Sequence, residues 1–440
     1  MKSRPTSSPL RPSACPGLLR VVQALDGGIC RIKLDGGSIR TDQALAVADA
    51  AERYAGGVIE ATNRANLQIR GIGEQATALI DHMLAAELGP TTVAGDDVRN
   101  LMLSPAAGID PQMLIDSRPL ARQVLDCLQI HPRFHELSAK FAVQLDGGEA
   151  LAMLEHPHDL WLSATQRNGE LLFAFGFAGC PTDTPIAAVR LKDGHALVVA
   201  VLELFLELAR PDQTRMRHLL AERSADSLLH LLAGRVPLIS LDQWRRTATG
   251  LGLPVGTYPQ LQEGFVYVGV MPPLGRLDPS MLRGAAYLAA EFADASLRLT
   301  PWQSLLLPNI RQADASLVSR RLQALGYLVD THQPLTHLVA CTGSAGCGKG
   351  LSDTKGDAQR LSVLRQGRHA QEQVHLSGCP RSCACAHTAP VTLLATRQGH
   401  YDLYFRDAAL PGFGALQARN LTIEAAGALL DARPRSPLDA

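Results

Sequence analysis

The chain has 440 residues, and its 42 Lys and Arg are balanced by 42 Asp and Glu, so the formal net charge is zero. This balance argues against a nucleic-acid-binding protein, which carries an excess of basic residues. Apolar residues make up 46% of the chain, enough for more than one domain with its own core. The most apolar stretch, 196–209, contains Glu203 and Glu207 and is predicted to be a core helix rather than a membrane span.

The N-terminal region contains the first copy of a repeated unit. Its first 17 residues have no apolar core of signal-peptide length, so we expect a cytoplasmic protein without structural disulfides. Residues 28–34 alternate apolar and polar side chains as a strand does, and a turn, a helix and two more strands follow. The same order returns 238 residues later, where Thr300 corresponds to Thr62. A repeat this long predicts pseudo-twofold architecture rather than a solenoid.

Each copy is followed by a longer α/β stretch, and only the second stretch carries four closely spaced cysteines. Cys341 and Cys347 lie in CTGSAGC, and Cys379 and Cys383 lie in SGCPRSC. Four thiolates in glycine-rich loops can hold a [4Fe–4S] cluster, which is our prediction. Zinc is an alternative, but neither pair has the CxxC spacing that zinc sites favour. Four unligated buried cysteines are the remaining alternative.

The repeat and the cysteine quartet together resemble the sulfite and nitrite reductase superfamily. This resemblance implies an α+β fold in which two ferredoxin-like half-domains pair into one domain and two α/β domains flank a tetrapyrrole. It implies half-domains at 10–82 and 233–322, and α/β domains at 83–232 and 323–440, of which the last carries the cluster. By position, Cys383 matches the thiolate that links cluster and sirohaem in those reductases.

Within the superfamily, the chain resembles the precorrin-3B synthase family from about residue 15 to 410. Two departures from the reductases favour that family: Pro390 stands where they commonly carry an acidic residue, and Ala142 where they carry a second lysine after Lys140. Both departures argue against tightly bound sirohaem. The matching segments are CPGLLR (15–20), ATNRANLQIRG (61–71), RNLMLSPAAGIDP (99–111), AKFAVQLDGG (139–148), LRLTPWQSLLLP (297–308), CTGSAGCGKGLSDTKGDA (341–358), VHLSGCPRSCACAH (374–387) and GHYDLYF (399–405).

The resemblance implies a reaction and its partners. The family uses O2 to hydroxylate precorrin-3A, a tetrapyrrole with many carboxylates, at C20 and closes a γ-lactone in cobalamin synthesis. The sequence has no GxGxxG after a strand, so we expect NADH to act through a separate reductase. No nucleic acid or membrane partner is expected.

Substrate carboxylates call for cationic side chains. Arg64, Asn66, Gln68 and Arg70 share one parity, so an extended chain would place all four on one face of a strand. Arginine binds carboxylates through two parallel hydrogen bonds, and we predict that this face binds the substrate. The competing interpretation is a solvated strand face with ordinary surface charges. Lys140 and Arg298 are weaker candidates for the same task.

The family also implies a mononuclear non-haem iron beside the cluster. Such sites use two histidines and one carboxylate, and the sequence shows no helical HxxxH or HxD pair that would announce one. His387, four residues after Cys383, is the candidate ligand and catalytic residue, and His375 is second. A structural role for each histidine is the competing interpretation.

Three functions stay open at this point. The first is precorrin-3B synthase. The second is a sirohaem-dependent sulfite or nitrite reductase. The third is a non-catalytic electron-transfer or tetrapyrrole-binding protein with an iron–sulfur cluster.

Overall fold

The structure is a computed structural model that describes residues 15–241, 244–247, 253–367 and 372–432. The chain forms two compact units. The first unit comprises Met1–Arg20, Ile32–Ser38 and Glu87–Leu251, and the second comprises Val21–Arg31, Ile39–Ala86 and Gly252–Ala440.

The first copy of the repeat forms a sheet with two helices. In this sheet β1, β2, β5 and β4 are neighbours, and all of their printed pairings are antiparallel. The elements are β1 Val22–Ala24, β2 Gly27–Ile32, β3 Ser38–Arg40, α1 Thr41–Tyr54, β4 Val58–Ala61, β5 Leu67–Ile72 and α2 Ala76–Ala85.

The next segment builds the core of the first unit. Its sheet has the order β10-β9-β8-β7-β6, and α4 and α5 pack over a core that includes Phe134, Phe175 and Phe205. The helix predicted at 196–209 is confirmed as α5. The elements are α3 Gly95–Val98, β6 Leu101–Leu103, α4 Arg118–Ile130, β7 Val143–Asp146, β8 His158–Arg167, β9 Glu170–Gly179, β10 Ala187–Arg190, α5 Gly194–Leu208, α6 Met216–Leu220 and α7 Ala225–Ala233.

The second copy of the repeat forms a sheet like that of the first. Strands β11, β12, β15 and β14 are neighbours, and the Asp278 carboxylate caps α8 by accepting a hydrogen bond from the Met281 amide at 2.9 Å. The elements are β11 Gly256–Pro259, β12 Phe265–Val270, β13 Arg276–Leu277, α8 Pro279–Phe292, β14 Ser296–Leu299, β15 Leu305–Arg311 and α9 Ala315–Ala324.

The last segment forms the sheet β16-β17-β18-β19-β20 with α10 and α11. Here β16, β17 and β18 are parallel, and β18, β19 and β20 are antiparallel. The sheet of the first unit has the same order and directions from β6 to β10. The elements are β16 Leu338–Ala340, α10 Thr354–Leu364, β17 Val374–Ser377, β18 Val391–Arg397, β19 His400–Phe405, β20 Ala415–Leu421 and α11 Ile423–Ala432.

The two copies of the repeat exchange strands. The short strand β13 joins the first copy's sheet beside β4, and β3 joins the second copy's sheet beside β14. Helices α1 and α8 pack together, and Arg283 forms ion pairs with Asp49 and Glu52 at 2.7 and 2.5 Å. The predicted α+β fold with two paired half-domains is thereby confirmed.

The repeat holds residue for residue. Strands β2 and β12 begin 238 positions apart, and so do α1 and α8. The four domain boundaries given above stay a prediction, and 10–14 and 433–440 lie outside the described residues. No helix of the described part is long and apolar enough to cross a membrane.

One turn shows how strictly the two copies share a backbone. Gly36 has φ 60°, and its counterpart Leu274 has φ 52°, a left-handed conformation that costs a residue with a Cβ about 1 to 2 kcal/mol. Leu274 is 3% exposed and belongs to the core formed by β16 to β19 and α10. Burial of its side chain therefore offsets the strained backbone.

We predict that Leu274→Ala lowers the free energy of unfolding by about 2 to 5 kcal/mol, because the alanine keeps the left-handed backbone and leaves a cavity. The matched control is Leu317→Ala on α9, where the leucine is 38% exposed and the change should stay within about 0.5 kcal/mol. Chemical unfolding followed by circular dichroism measures both. Equal losses in the two variants would contradict the core role of Leu274.

Candidate metal centre

The two cysteine pairs follow neighbouring parallel strands. Strand β16 ends at Ala340 and β17 ends at Ser377, with Ala340 opposite Leu376 in the register. Cys341 comes directly after β16, and Cys379 comes two residues after β17. Because parallel strands end at the same sheet edge, both loops leave from one place.

The first cysteine loop folds tightly on itself. Gly343 has φ 66°, and an added Cβ would come within 2.4 Å of the Ser352 carbonyl oxygen. The carbonyl of Gly343 accepts a hydrogen bond from the Cys347 amide at 2.9 Å, and the Cys347 carbonyl accepts one from the Gly350 amide at 2.9 Å. The glycines predicted to shape a cluster loop therefore shape this one.

The two loops meet through a cysteine sulfur. The Gly378 amide donates a hydrogen bond to Cys341 Sγ at 3.2 Å. Loss of hydration raises the pKa of the Cys383 thiol, and the charges of Cys379, Cys341 and Cys347 raise it further. The four sulfurs are therefore close enough to influence one another, and an amide already points at one of them. This donor set suits a [4Fe–4S] cluster, whose sulfurs accept such hydrogen bonds.

The alternatives to a cluster find less support. All nine cysteines are free thiols, so the quartet forms no disulfide. In the part of the chain that the structure describes, no three His, Cys, Asp or Glu side chains converge as the ligands of a single metal ion. The geometry thus does not present a preformed zinc site.

A group of buried charges lies behind the first loop. We call Glu60, Arg70, Arg276 and Lys355 the Glu60 network. Glu60 is 8% exposed and faces all three cations, with Arg276 at 2.9 Å, Arg70 at 3.7 Å and Lys355 at 3.9 Å. Burial raises the pKa of Glu60, but the three cations outweigh it and the pKa is lowered overall. Glu60 is therefore ionised at neutral pH.

Two equivalent turns contact the second cysteine loop. The turn at 62–66 and the turn at 300–304 each close with a hydrogen bond from a threonine amide, at 2.9 and 3.0 Å. From the first turn, Asn63 Nδ2 donates to the Cys383 carbonyl at 3.3 Å. From the second, Gln303 Nε2 donates to the Ala384 carbonyl at 3.0 Å. The repeat thus holds two consecutive carbonyls of the loop that carries Cys383.

The predicted strand face is only partly correct. Strand β5 begins at Leu67, so Arg64 and Asn66 lie in the preceding turn, whose amides are bound by Thr62 Oγ1. The prediction that they share a strand face with Gln68 and Arg70 is wrong, because the turn at 62–66 interrupts the alternation. Arg64 is half-buried, and its role in substrate binding stays a prediction.

The remaining predicted carboxylate ligands lie in different surroundings. With its amide assigned from the hydrogen-bond network, Gln68 accepts two hydrogen bonds from Arg31, at 3.0 and 2.7 Å. Arg70 binds Asp26 through two hydrogen bonds of 2.9 Å. Arg298 lies on β14 and is 9% exposed, and Lys140 is an exposed residue of the first unit. Their roles in substrate binding stay predictions.

His387 lies beside two other candidate ligands. Its ring nitrogens are 3.6 and 3.7 Å from Cys385 Sγ, and Nε2 is 3.3 Å from Gln373 Oε1. His375 is 1% exposed, its Nε2 has no hydrogen-bond partner, and burial followed by the charge of His387 lowers its pKa to about 3. These side chains are not among three converging ligands of one ion, so they do not fit the mononuclear iron site that the sequence predicts.

The sequence missed four residues that contact the cysteine loops. Glu60 was detectable as a single acid in the apolar strand VIEA, and Lys355 lies in the quoted segment at 341–358. Asn63 and Gln303 also lie in quoted segments, but nothing in their spacing indicates contact with residues far along the chain.

Comparisons with known proteins agree with this architecture. The family model for the nitrite/sulfite reductase ferredoxin-like half domain matches residues 23–86 and 258–325. The model for the nitrite and sulphite reductase 4Fe-4S domain matches 94–237, which is the segment without the cysteine quartet.

Relatives of known name cover most of the chain. Ferredoxin–nitrite reductase of Zea mays is 31% identical over 82% of this chain and 68% of its own length. Precorrin-3B synthase of Sinorhizobium sp is 25% identical over 90% of this chain and 83% of its own length. The solved structure of Mycobacterium tuberculosis NirA covers 92% of this chain and 79% of its own, with a TM-score of 0.76 at 20% identity. The chain therefore belongs to the nitrite and sulphite reductase family, and this membership supports an oxidoreductase with an iron–sulfur cluster.

Proposed function

We propose that the protein is a precorrin-3B synthase, a monooxygenase that hydroxylates precorrin-3A at C20 and forms the γ-lactone. The observation that carries this proposal is the pair of departures from the reductases at positions 142 and 390. Ala142 is 5% exposed, and its amide donates to Asp159 Oδ2 at 2.9 Å. Pro390 offers only its carbonyl, which accepts from the Arg406 amide at 2.9 Å. Neither position supplies the charged side chain that the reductases carry there.

The likeness to the synthase of Sinorhizobium sp supports the same proposal. The alignment spans 90% of this chain and 83% of that protein, so both chains have nearly the same extent. The name of that relative gives the substrate class, a reduced tetrapyrrole. A cytoplasmic location and NADH acting through a separate reductase belong to this proposal as well.

The reaction consumes one O2, two electrons and two protons for each substrate. One oxygen atom forms the new bond to C20, and the other leaves as water. A cluster held by Cys341, Cys347, Cys379 and Cys383 supplies electrons one at a time when bound. Arg64, Asn66 and Gln68 bind substrate carboxylates and orient the ring, with Arg70, Lys140 and Arg298 as further carboxylate contacts. His387 is the proposed catalytic residue, since its imidazole lies in the loop after Cys383 and can hold a proton.

A second candidate is a sirohaem-dependent nitrite reductase. The observation that favours it is the 31% identity to the maize enzyme over 397 residues, which exceeds the identity to the synthase. Sirohaem gives an intense Soret-type absorption band, whereas a cluster alone gives a broad shoulder. The visible spectrum of protein purified without oxygen therefore distinguishes the two candidates.

We predict that Cys341→Ser and Cys379→Ser remove the cluster, because a hydroxyl is a poor ligand for iron in an iron–sulfur cluster. Iron and sulfide counts should fall to background, and the brown colour should be lost. Cys127→Ser is the matched control, since Cys127 lies on α4 in the first unit, and it should leave the spectrum unchanged. A fully loaded Cys379→Ser protein would contradict the ligand assignment.

We predict that Arg64→Lys weakens tetrapyrrole binding by about tenfold or more, because lysine keeps the charge but loses the planar fork. A fluorescence titration with the tetrapyrrole measures the affinity, and the cluster signal should persist. Arg40→Lys is the matched control, because Arg40 pairs with Asp42 on an exposed surface. Equal affinities for Arg64→Lys and the unchanged protein would remove Arg64 from the substrate site.

The function itself is tested with labelled oxygen. Under 18O2 the product should carry one labelled atom at C20, because the monooxygenase reaction takes that atom from O2. Label that arrives only from water would reject the proposed function. In the same assay His387→Ala should lower turnover by at least about 10-fold to 100-fold without loss of cluster iron. Full turnover in that variant would remove His387 from the catalytic residues.

A further inference from the structure

We propose that the Glu60 network positions the first cysteine loop and sets the reduction potential of the cluster that the four cysteines hold. The inference rests on the iron–sulfur cluster of the proposed function but not on the tetrapyrrole reaction. It also gives Arg70 a role that differs from the substrate contact predicted from the strand pattern.

The network holds the loop at two carbonyls. Lys355 Nζ donates to the Ala340 carbonyl at 3.3 Å, and Arg70 Nη2 donates to the Gly346 carbonyl at 3.2 Å. Ala340 directly precedes Cys341, and Gly346 directly precedes Cys347. Each buried cation thus fixes the peptide that leads into one cysteine of the pair.

Other contacts of the network fix it in place. Lys355 also donates to the Leu274 carbonyl at 2.6 Å, so it joins the half-domain turn to the loop. Arg276 lies directly opposite Glu60 in the antiparallel pairing of β13 with β4. Because β13 is the strand that the second copy lends to the first, the exchange itself brings Arg276 to Glu60.

The network carries a net positive charge. Three cations face Glu60 and Asp26, and Asp26 is paired with Arg70 at 2.9 Å. The side chains of Arg70, Glu60 and Lys355 are 5%, 10% and 11% exposed, so solvent screens their charges poorly. Burial lowers the pKa of Lys355, whereas Glu60 and Cys341 act in the opposite direction.

The sign of this charge determines its effect on the cluster. Reduction adds one electron and makes the cluster more negative, so a nearby net positive charge favours the reduced form. Loss of the Glu60 charge should therefore raise the reduction potential. Loss of a cation should lower it. A network that only held strands together would have no reason to give opposite signs.

The experiment is a potentiometric titration of the cluster, followed by EPR, on protein purified without oxygen. Glu60→Gln should shift the midpoint potential upward, and Lys355→Met should shift it downward. The double variant should return close to the unchanged protein, because its charge balance is restored. Glu52→Gln is the matched control: it removes a carboxylate from an α1 position where the side chain is 60% exposed, and the potential should not move.

Arg276→Gln keeps the test decisive where the buried variants lose the cluster. The Arg276 side chain is 36% exposed, so the protein should tolerate the change, and the potential should fall by less than in Lys355→Met. A potential that stays unchanged in Arg276→Gln would then overturn the proposal. So would shifts of the same sign in Glu60→Gln and Lys355→Met with full iron and sulfide content.

The outcomes also distinguish this proposal from the proposed function. Absence of iron and sulfide in the unchanged protein would remove the cluster and this proposal with it. A loaded cluster whose potential follows the charges, in a protein that does not oxygenate the tetrapyrrole, would support the network and reject the proposed function.

Discussion

Parallel pairing of β16 with β17 is the constraint on which the metal centre depends. The register that sets Ala340 opposite Leu376 starts both cysteine loops at the same level of the sheet. A shift by one residue would turn the side chains of one strand to the other face and separate the loops. The amide of Gly378 could then no longer donate to Cys341 Sγ, which is the direct hydrogen bond between the loops. Cluster geometry is therefore a consequence of strand register.

The first unit shows that this register is not sufficient. There β6 and β7 pair in parallel with Leu103 opposite Leu145, just as Ala340 lies opposite Leu376. The residue after β6 is Ser104, whose hydroxyl donates to the Leu151 carbonyl at 2.6 Å. The sheet edge supplies the place, and the chemistry depends on which side chains follow the strands. The same fold thus holds a thiolate set in one unit and an ordinary hydrogen bond in the other.

The sequence was informative where the structure is local and repeated. The offset of 238 residues placed β12 and α8 correctly, because each copy contains its own strand, turn and helix patterns. It failed at Arg64 and Asn66, where alternation of polar residues continued through a turn that the backbone makes on the hydroxyl of Thr62. A hydroxyl that accepts two amides stops a strand without interrupting the polar pattern.

Long-range contacts could not be predicted for a different reason. Glu60 and Lys355 lie 3.9 Å apart but are far separated in the chain, and each alone resembles an ordinary charge. Their meeting depends on the exchange of β13, which follows from the assembled repeat and leaves no trace in local spacing. Buried charges of this kind are costly unless they are paired. The pairing was therefore a necessary feature of the fold, although its partners were visible only in the structure.

The two turns that hold the Cys383 loop use the repeat in an asymmetric way. Asn63 and Gln303 do not correspond to each other, since the counterpart of Gln303 is Ala65. Ala65 and Gln303 share a left-handed backbone, with φ 53° and 58°, so the turns are equivalent while their side chains differ. A single loop cannot present the same groups to two symmetric turns. The duplicated backbone therefore diverged in sequence, so that each turn reaches a different carbonyl of the loop between Cys383 and Ala384.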